Sequence, residues 1–165
     1  MGIPWAIAPE EAEAYCAYLT KEGDYDYVLS PDADCFMFGA TQVIRPVKEN
    51  KKKVYYIYRR KEILKQLGIK QKHLLNVGLC LGTDFSKKVM GIGVKTVVKK
   101  VLADNIVYTE QQLNAKNYFK SAPHKGAKVK RKKFNRDKLI KFLMKLGFDL
   151  PRLSGHIESL EKLSK

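Results

Sequence analysis

Five acidic residues stand apart from a strongly basic background: Glu11, Glu13, Asp32, Asp34 and Asp84. Asp32 and Asp34 follow the run Asp26 to Ser30, which reads as a buried strand. Sites in open α/β sheets lie at the carboxyl ends of such strands. Asp84 ends an apolar helical run that would pack nearby. Clustered carboxylates repel one another and need cations, and an all-oxygen donor set points to Mg²⁺ or Mn²⁺. A pair of such ions is a device for in-line phosphodiester hydrolysis, one activating water and both stabilising the attacking and leaving oxygens. Each acid also has an ordinary structural reading. Glu11 and Glu13 suit a helix N-terminus, and positions i and i+2 do not share a face of a regular helix. Asp32 and Asp34 are turn formers after Pro31, and Asp84 is placed to cap the next turn. Taken as a set on a basic chain, they favour metal.

A second element follows directly. Gly91-Ile-Gly93-Val-Lys95 opens a helix predicted over 94–103, with Val94, Val97, Val98, Val101 and Leu102 on its apolar face and Lys95, Lys99 and Lys100 elsewhere. Glycines let a backbone turn tightly and approach a ligand, and the free N–H groups of a helix start favour phosphate. A Gly-x-Gly before a helix is weak alone. Between an acidic residue and lysines, it becomes a picture of a nuclease gripping a nucleic-acid backbone.

The rest of the composition agrees. Lysine and arginine number 32 against 17 acids, a net charge of +15 over 165 residues. That excess points to a polyanion, nucleic acid before an anionic membrane. Cys16, Cys35 and Cys80 are odd in number and form no C-x-x-C pair, so they read as core thiols in a reducing compartment. No apolar run reaches spanning length and no signal peptide is present. Position 6 is Ala6, which rules out a myristoylation start. The expectation is an intracellular protein, nuclear or cytoplasmic and not secreted, with no membrane partner. His73, His124 and His156 make no metal spacing, Trp5 reads as core, and Tyr55, Tyr56 and Tyr58 as strand packing.

The elements that must position these groups start with a helix over about 9–21, opened by Pro9 and ended by Gly23. Strands follow over 26–30, 42–47 and 54–58, the last two around a lysine-rich loop at 48–53. Helices are predicted over 61–67, 71–81, 94–103, 109–121, 135–146 and 151–163, with a basic, mobile loop over 125–133. This is a short α/β start followed by an all-helical remainder, and the sheet is thin for its class.

Three motifs carry a resemblance. They are Gly2-Ile-Pro-Trp-Ala-Ile-Ala-Pro-Glu-Glu11-Ala-Glu13-Ala14, the acidic turn from Asp32 and Asp34 to Phe38-Gly39, and Leu81-Gly-Thr-Asp84-Phe85 followed by Gly91-Ile-Gly-Val-Lys95. In order and spacing the chain resembles the internal region of the flap endonuclease/XPG superfamily of structure-specific 5′ nucleases, with similarity running on through Leu139 to Leu143. The resemblance implies a PIN-like, 5′-nuclease α/β fold, with a partial, mostly parallel sheet followed by a helix-hairpin-helix-type region. It divides the chain into 1–82, the internal part of the nuclease domain, and 83–165, the helical DNA-binding region.

By the same resemblance Glu11, Glu13, Asp32, Asp34 and Asp84 are catalytic metal ligands. Lys88, Gly91, Gly93, Val94, Lys95 and Lys99 fall to DNA binding. Lys88 stands where the family places a serine that helps hold a monovalent cation. The resemblance implies that the 165 residues lack the family's front region, and with it two further metal-binding aspartates, the basic residues on the scissile phosphate and the helical arch. The sliding-clamp peptide is absent too. The expectation is a Mg²⁺- or Mn²⁺-dependent endo- or exonuclease acting on DNA flaps, nicks or 5′ ends in repair or replication, with an incomplete two-ion site. A separate N-terminal nuclease chain would complete it. The alternatives are a non-catalytic DNA-binding module or one subunit of a split nuclease.

Overall fold

The computed structural model describes residues 3–124 and 133–163. The chain divides into two compact units, Ala8–Gly126 and Met1–Ile7 with Ala127–Lys165. All five expected acids and the glycine hairpin belong to the first. Most of the predicted basic loop, residues 125–132, lies outside the described residues.

In the larger unit α1 spans Ala12–Glu22 and ends at Gly23, whose φ of 80° lets its N–H reach back to the Leu19 carbonyl. The helix starts three residues later than Pro9 suggests, and Glu11 is its extended N-cap. Strand β1 is only Val28–Leu29, and α2 is one turn, Asp34–Met37. Strands β2, Gln42–Glu49, and β3, Lys52–Arg59, form a hairpin whose ladder runs from Gln42↔Arg59 to Glu49↔Lys52. Its tip turns at Asn50 and Lys51, both with positive φ as a two-residue primed turn requires. The lysine-rich stretch 48–53 is therefore mostly paired strand rather than loop. β1 runs parallel to β2 through Val28↔Val43 and Leu29↔Ile44, so the sheet is mixed, in the order β1-β2-β3.

Four further helices complete this unit: α3, Arg60–Leu67; α4, Gln71–Leu81; α5, Val94–Leu102; and α6, Glu110–Ser121. The core has three clusters, and α4 joins two of them. Ala17, Val28, Cys35, Phe36, Ala40 and Val43 fill the space between α1, α2 and the sheet. Leu75 and Leu79 of α4 meet Met37 and the Ala115–Phe119 face of α6, while Val77 and Cys80 meet Val97 and Val101 of α5. Burying the valine, leucine, phenylalanine and methionine side chains among these, at roughly 1.5–3 kcal/mol each, is the main force holding the unit together. Cys35 and Cys80 are buried free thiols, as their types suggested.

Several sequence expectations give way to tertiary context. Val94 and Leu102 are exposed, so the buried seam of α5 is narrower than its apolar stripe. Tyr55, Tyr56 and Tyr58 are exposed as well, although Tyr56 and Tyr58 lie against each other with ring centroids 6.4 Å apart. Trp5 is 78% exposed rather than core.

The smaller unit contains α7, Arg136–Lys145, and α8, Leu150–Leu163, which pack on each other. Asn135 caps α7 by accepting from the Lys138 N–H, and Arg136 pairs with Glu161 at 3.9 Å. Among the described residues no helix is long and apolar enough to cross a membrane.

Candidate functional site

The acids are delivered by three turns, each tethered from elsewhere in the fold. Glu11 has φ −73° and ψ 128°, and Glu13 lies in the first turn of α1. The facing rule for regular helices therefore does not apply to this pair, since one member is outside the helix. Tyr118 of α6 hydrogen-bonds the Glu10 side chain. Burial and that bond push its phenol up to about 12, and tie α6 to the segment bearing Glu11.

The second turn leaves β1. Arg45 of β2 donates to the Pro31 carbonyl from Nε at 3.1 Å and from Nη2 at 2.6 Å, clamping the chain as it exits the sheet. Asp32 Oδ1 accepts from the Asp34 N–H at 2.8 Å and so helps start α2. Asp32 is thus a turn former, as its ordinary reading required, with a second oxygen to spare. Asp34 is half-buried, and its carboxyl rises from 3.8 to about 6. Burial is the largest cause, followed by the charges of Asp32, Asp84, Glu13 and Glu11 in that order. Every other predicted ligand contributes to the field at Asp34.

The third turn carries Asp84. Thr83 Oγ1 accepts from the N–H groups of Phe85 and Ser86, both at 3.1 Å, so Thr83 and not Asp84 supplies the turn's oxygen. Gln112, 2% exposed, donates Nε2 to the Leu79 carbonyl at 3.1 Å near the end of α4 and to the Lys87 carbonyl at 3.4 Å. One amide thereby fixes both sides of the Asp84 turn. Gly82, with φ 96°, lets Lys88 pass so closely that an added Cβ would lie 3.1 Å from the Lys88 nitrogen and Cβ. The second and third turns bound a cavity of about 660 Å³ whose lining includes Asp32, Asp34, Asp84, Lys87, Lys88 and Gln111, while Glu11 and Glu13 do not line it.

Among the described residues no three His, Cys, Asp or Glu side chains converge into a ready-made metal set. The donor chemistry nevertheless suits a hard cation. These are carboxylate oxygens around one half-buried member whose carboxyl is held above its ordinary value, and bare carboxylates splay apart unless a cation draws them in. Cys35, adjacent in sequence, is pushed up to about 11 chiefly by burial, which keeps it a neutral thiol.

The glycine hairpin is built differently. Gly91 has φ 78°, a conformation that favours glycine, whereas Gly93 is an ordinary extended N-cap of α5. A Cβ at either would meet nothing within 4 Å. No side chain caps α5, and Val94 and Lys95 are exposed at its start. The hairpin is held in place by α5 burying Val97 and Val101 beneath it.

Sequence reasoning missed the tethers. Gln112 was visible only as the last residue of Thr109-x-x-Gln112, a capping-box pattern borne out by reciprocal bonds of 3.0 and 3.2 Å. Arg45 and Tyr118 offered no such pattern. His124 stacks on Tyr18 with ring centroids 4.2 Å apart.

The family model described as XPG I-region matches residues 2–84. A flap endonuclease 1 from Picrophilus torridus is 31% identical over an alignment covering all of this chain and 54% of that protein. One from Methanosarcina barkeri is 33% identical, with 100% and 55% covered. Among solved structures, flap endonuclease-1 from Methanococcus jannaschii superposes with a TM-score of 0.84 at 29% identity, covering 98% of this chain and 54% of that one. The catalytic core of Rad2 in complex with a DNA substrate shares the fold, with a TM-score of 0.74 at 22% identity over 94% of this chain and 62% of that one. The chain spans about half the length of the curated relatives that it matches end to end.

Proposed function

The chain belongs to the XPG I-region family, and we propose that it carries metal-binding acids and a backbone grip of a structure-specific 5′ nuclease acting on DNA. The observation that carries this reading is the gathering of Asp32, Asp34 and Asp84 around one cavity that Lys87 and Lys88 also line; burial first, and then the charges of Asp32, Asp84, Glu13 and Glu11, raise the Asp34 carboxyl there. Asp32, Asp34, Asp84, Glu11 and Glu13 would hold Mg²⁺ or Mn²⁺. The ions when bound supply an activated water and charge stabilisation at the phosphodiester. Asp34 holds its carboxyl at the centre of the acid field, Asp32 keeps α2 in place, and Gln112 keeps the Asp84 turn in register. Lys87 and Lys88 bring phosphate to the acids as point charges. The N–H groups at Gly93 and Val94, with Gly91 shaping the turn, engage the duplex backbone, assisted by Lys95 and Lys99.

The relatives' remaining half would supply the other groups of the site, in the same polypeptide or in a separate one. A Mg²⁺ titration followed by thermal unfolding tests the metal reading. The wild-type midpoint should rise with the ion, and the Asp34→Asn midpoint should not. Cleavage of a 5′-flap duplex by the chain supplied with the first half of a relative tests the activity, and Asp34→Asn should abolish it. The absence of a preformed three-ligand set favours one competing reading, a non-catalytic DNA-binding module. That reading predicts DNA binding indifferent to Mg²⁺ and no cutting in the completed protein.

A further inference from the structure

A second cavity, of about 480 Å³, adjoins the carboxylates, and nothing in the metal or backbone chemistry uses it. Its lining is Phe85, Glu110, Gln111, Asn114, Ala115 and Tyr118. Gln111 lines both cavities, and Phe85 follows Asp84 in the same turn. The volume falls in the range of small-molecule sites, roughly 300–1,000 Å³.

Its walls are aromatic and braced. Phe85 and Tyr118 have ring centroids 4.8 Å apart at 43°. Phe119 meets the Phe85 ring edge-on at 5.3 Å, and Phe38 meets Tyr118 at 6.1 Å. The Tyr118 hydroxyl is committed to Glu10. Rings fixed in this way lose little freedom when a flat ligand packs on them.

The polar lining separates the two cavities by chemistry. Beside Asp32, Asp34 and Asp84 stand Lys87 and Lys88, which suit a phosphate. Beside Phe85 and Tyr118 stand one carboxylate, Glu110, and two amides, Gln111 and Asn114, and among the described residues no lysine or arginine joins the lining. A phosphate gains nothing next to Glu110. The edge of a nucleobase does, because its exocyclic amines donate to carboxylates and its mixed donor–acceptor edges match amides. Aromatic side chains that stack bases are a recurrent device of single-strand recognition.

We propose that the Phe85–Tyr118 cavity receives a nucleobase unstacked beside the phosphodiester held at the carboxylates. The base edge faces Glu110, Gln111 and Asn114 while its phosphate lies on the Lys87–Lys88 side. This deepens the nuclease reading and rests on it, since the base is delivered by DNA held at the neighbouring acids.

The test is binding, read by fluorescence anisotropy, to flap duplexes with an abasic site placed in turn at each nucleotide flanking the junction. Phosphate number is unchanged, so the electrostatic part of affinity is constant. At one position the wild-type chain should bind the intact DNA roughly tenfold to a hundredfold tighter than the abasic one. Phe85→Leu should erase that difference and bind both at the abasic level. Gln111→Ala combined with Asn114→Ala changes only exposed side chains and should shrink the difference even if Phe85→Leu fails to fold. Equal wild-type affinity for every abasic duplex overturns the proposal and leaves the nuclease reading intact. So does a difference that survives the Gln111/Asn114 variant. No binding to any duplex sinks both.

Discussion

The acid-bearing turns, of which only the Asp84 turn lies a few residues before the glycine hairpin, and the hairpin itself are built on opposite plans. Each acid turn is tied down by a side chain from another element: Arg45 on the Pro31 carbonyl, Gln112 astride the Asp84 turn, Tyr118 on Glu10. The hairpin has no such tie, no cap, and open space above both glycines. Chemistry on a single bond needs donors fixed to a fraction of an ångström, which only a tethered loop provides. Gripping a repeating backbone needs uncovered N–H groups and room for the ligand to approach. In the proposed function, rigidity serves the acids and exposure serves the hairpin.

The contrast can be broken from either side. The largest effect should come from Asp34→Asn in the completed protein, where cleavage of a flap duplex falls by orders of magnitude while DNA affinity in the absence of metal does not fall. A variant that keeps most of its cleavage would show that the acids are not the reacting centre.

Gln112→Leu removes the tie on the Asp84 turn and leaves the Leu79 carbonyl without that partner. Urea unfolding should show a loss of about 1–3 kcal/mol. The hairpin counterpart, Gly93→Val, fills open space and should leave the unfolding midpoint within about 0.5 kcal/mol of wild type while weakening duplex binding. If Gly93→Val destabilises as much as Gln112→Leu, the hairpin is packed and the contrast fails. Gly91→Ala is intermediate, because φ 78° costs an L-residue about 1 kcal/mol.

The acid field makes its own prediction. In metal-free protein the Asp34 carboxyl should titrate near 6, well above its ordinary 3.8. A raised carboxyl favours the folded state while protonated. Its contribution is complete below about pH 4 and is lost as pH rises through 6, so the metal-free chain should lose some stability across that window. Asp84→Asn should bring the titration down, by NMR of the side-chain carboxyl, without returning it to 3.8, since burial is the larger cause. The smallest effect belongs to Lys95→Ala, which should flatten the log affinity against log salt line by about 0.9, one phosphate contact.

Much of the site was legible because its chemistry constrains residue types. Carboxylates in turns and a glycine that needs positive φ have few substitutes, so Asp34, Asp84 and Gly91 announce themselves. The tethers do not, since a buried Gln112 on an otherwise polar helix looks like a surface residue until α4 is placed against it. The helices were read well from their periodicity and caps. The tyrosines of β3 lie in a strand, with Tyr56 against Tyr58, yet stay exposed, because an aromatic strand pattern does not say whether another layer covers its faces. Trp5 failed for a related reason, since residue type alone does not fix which neighbours a side chain meets.

Leu29, Ile44 and Ile57 stand in cross-strand register on one face of the sheet, with Leu29 65% and Ile57 47% exposed. β3 is also an outermost strand. Its stretch Val54–Tyr58 carries the β-branched and aromatic side chains that nucleate cross-β stacking. Lys52, Lys53 and Arg59 bracket that stretch, and charge on an outer strand is a standard guard against edge-to-edge pairing. That guard works by repulsion and weakens as salt screens it. Concentrated salt should therefore drive this highly charged chain toward self-association through its sheet edge.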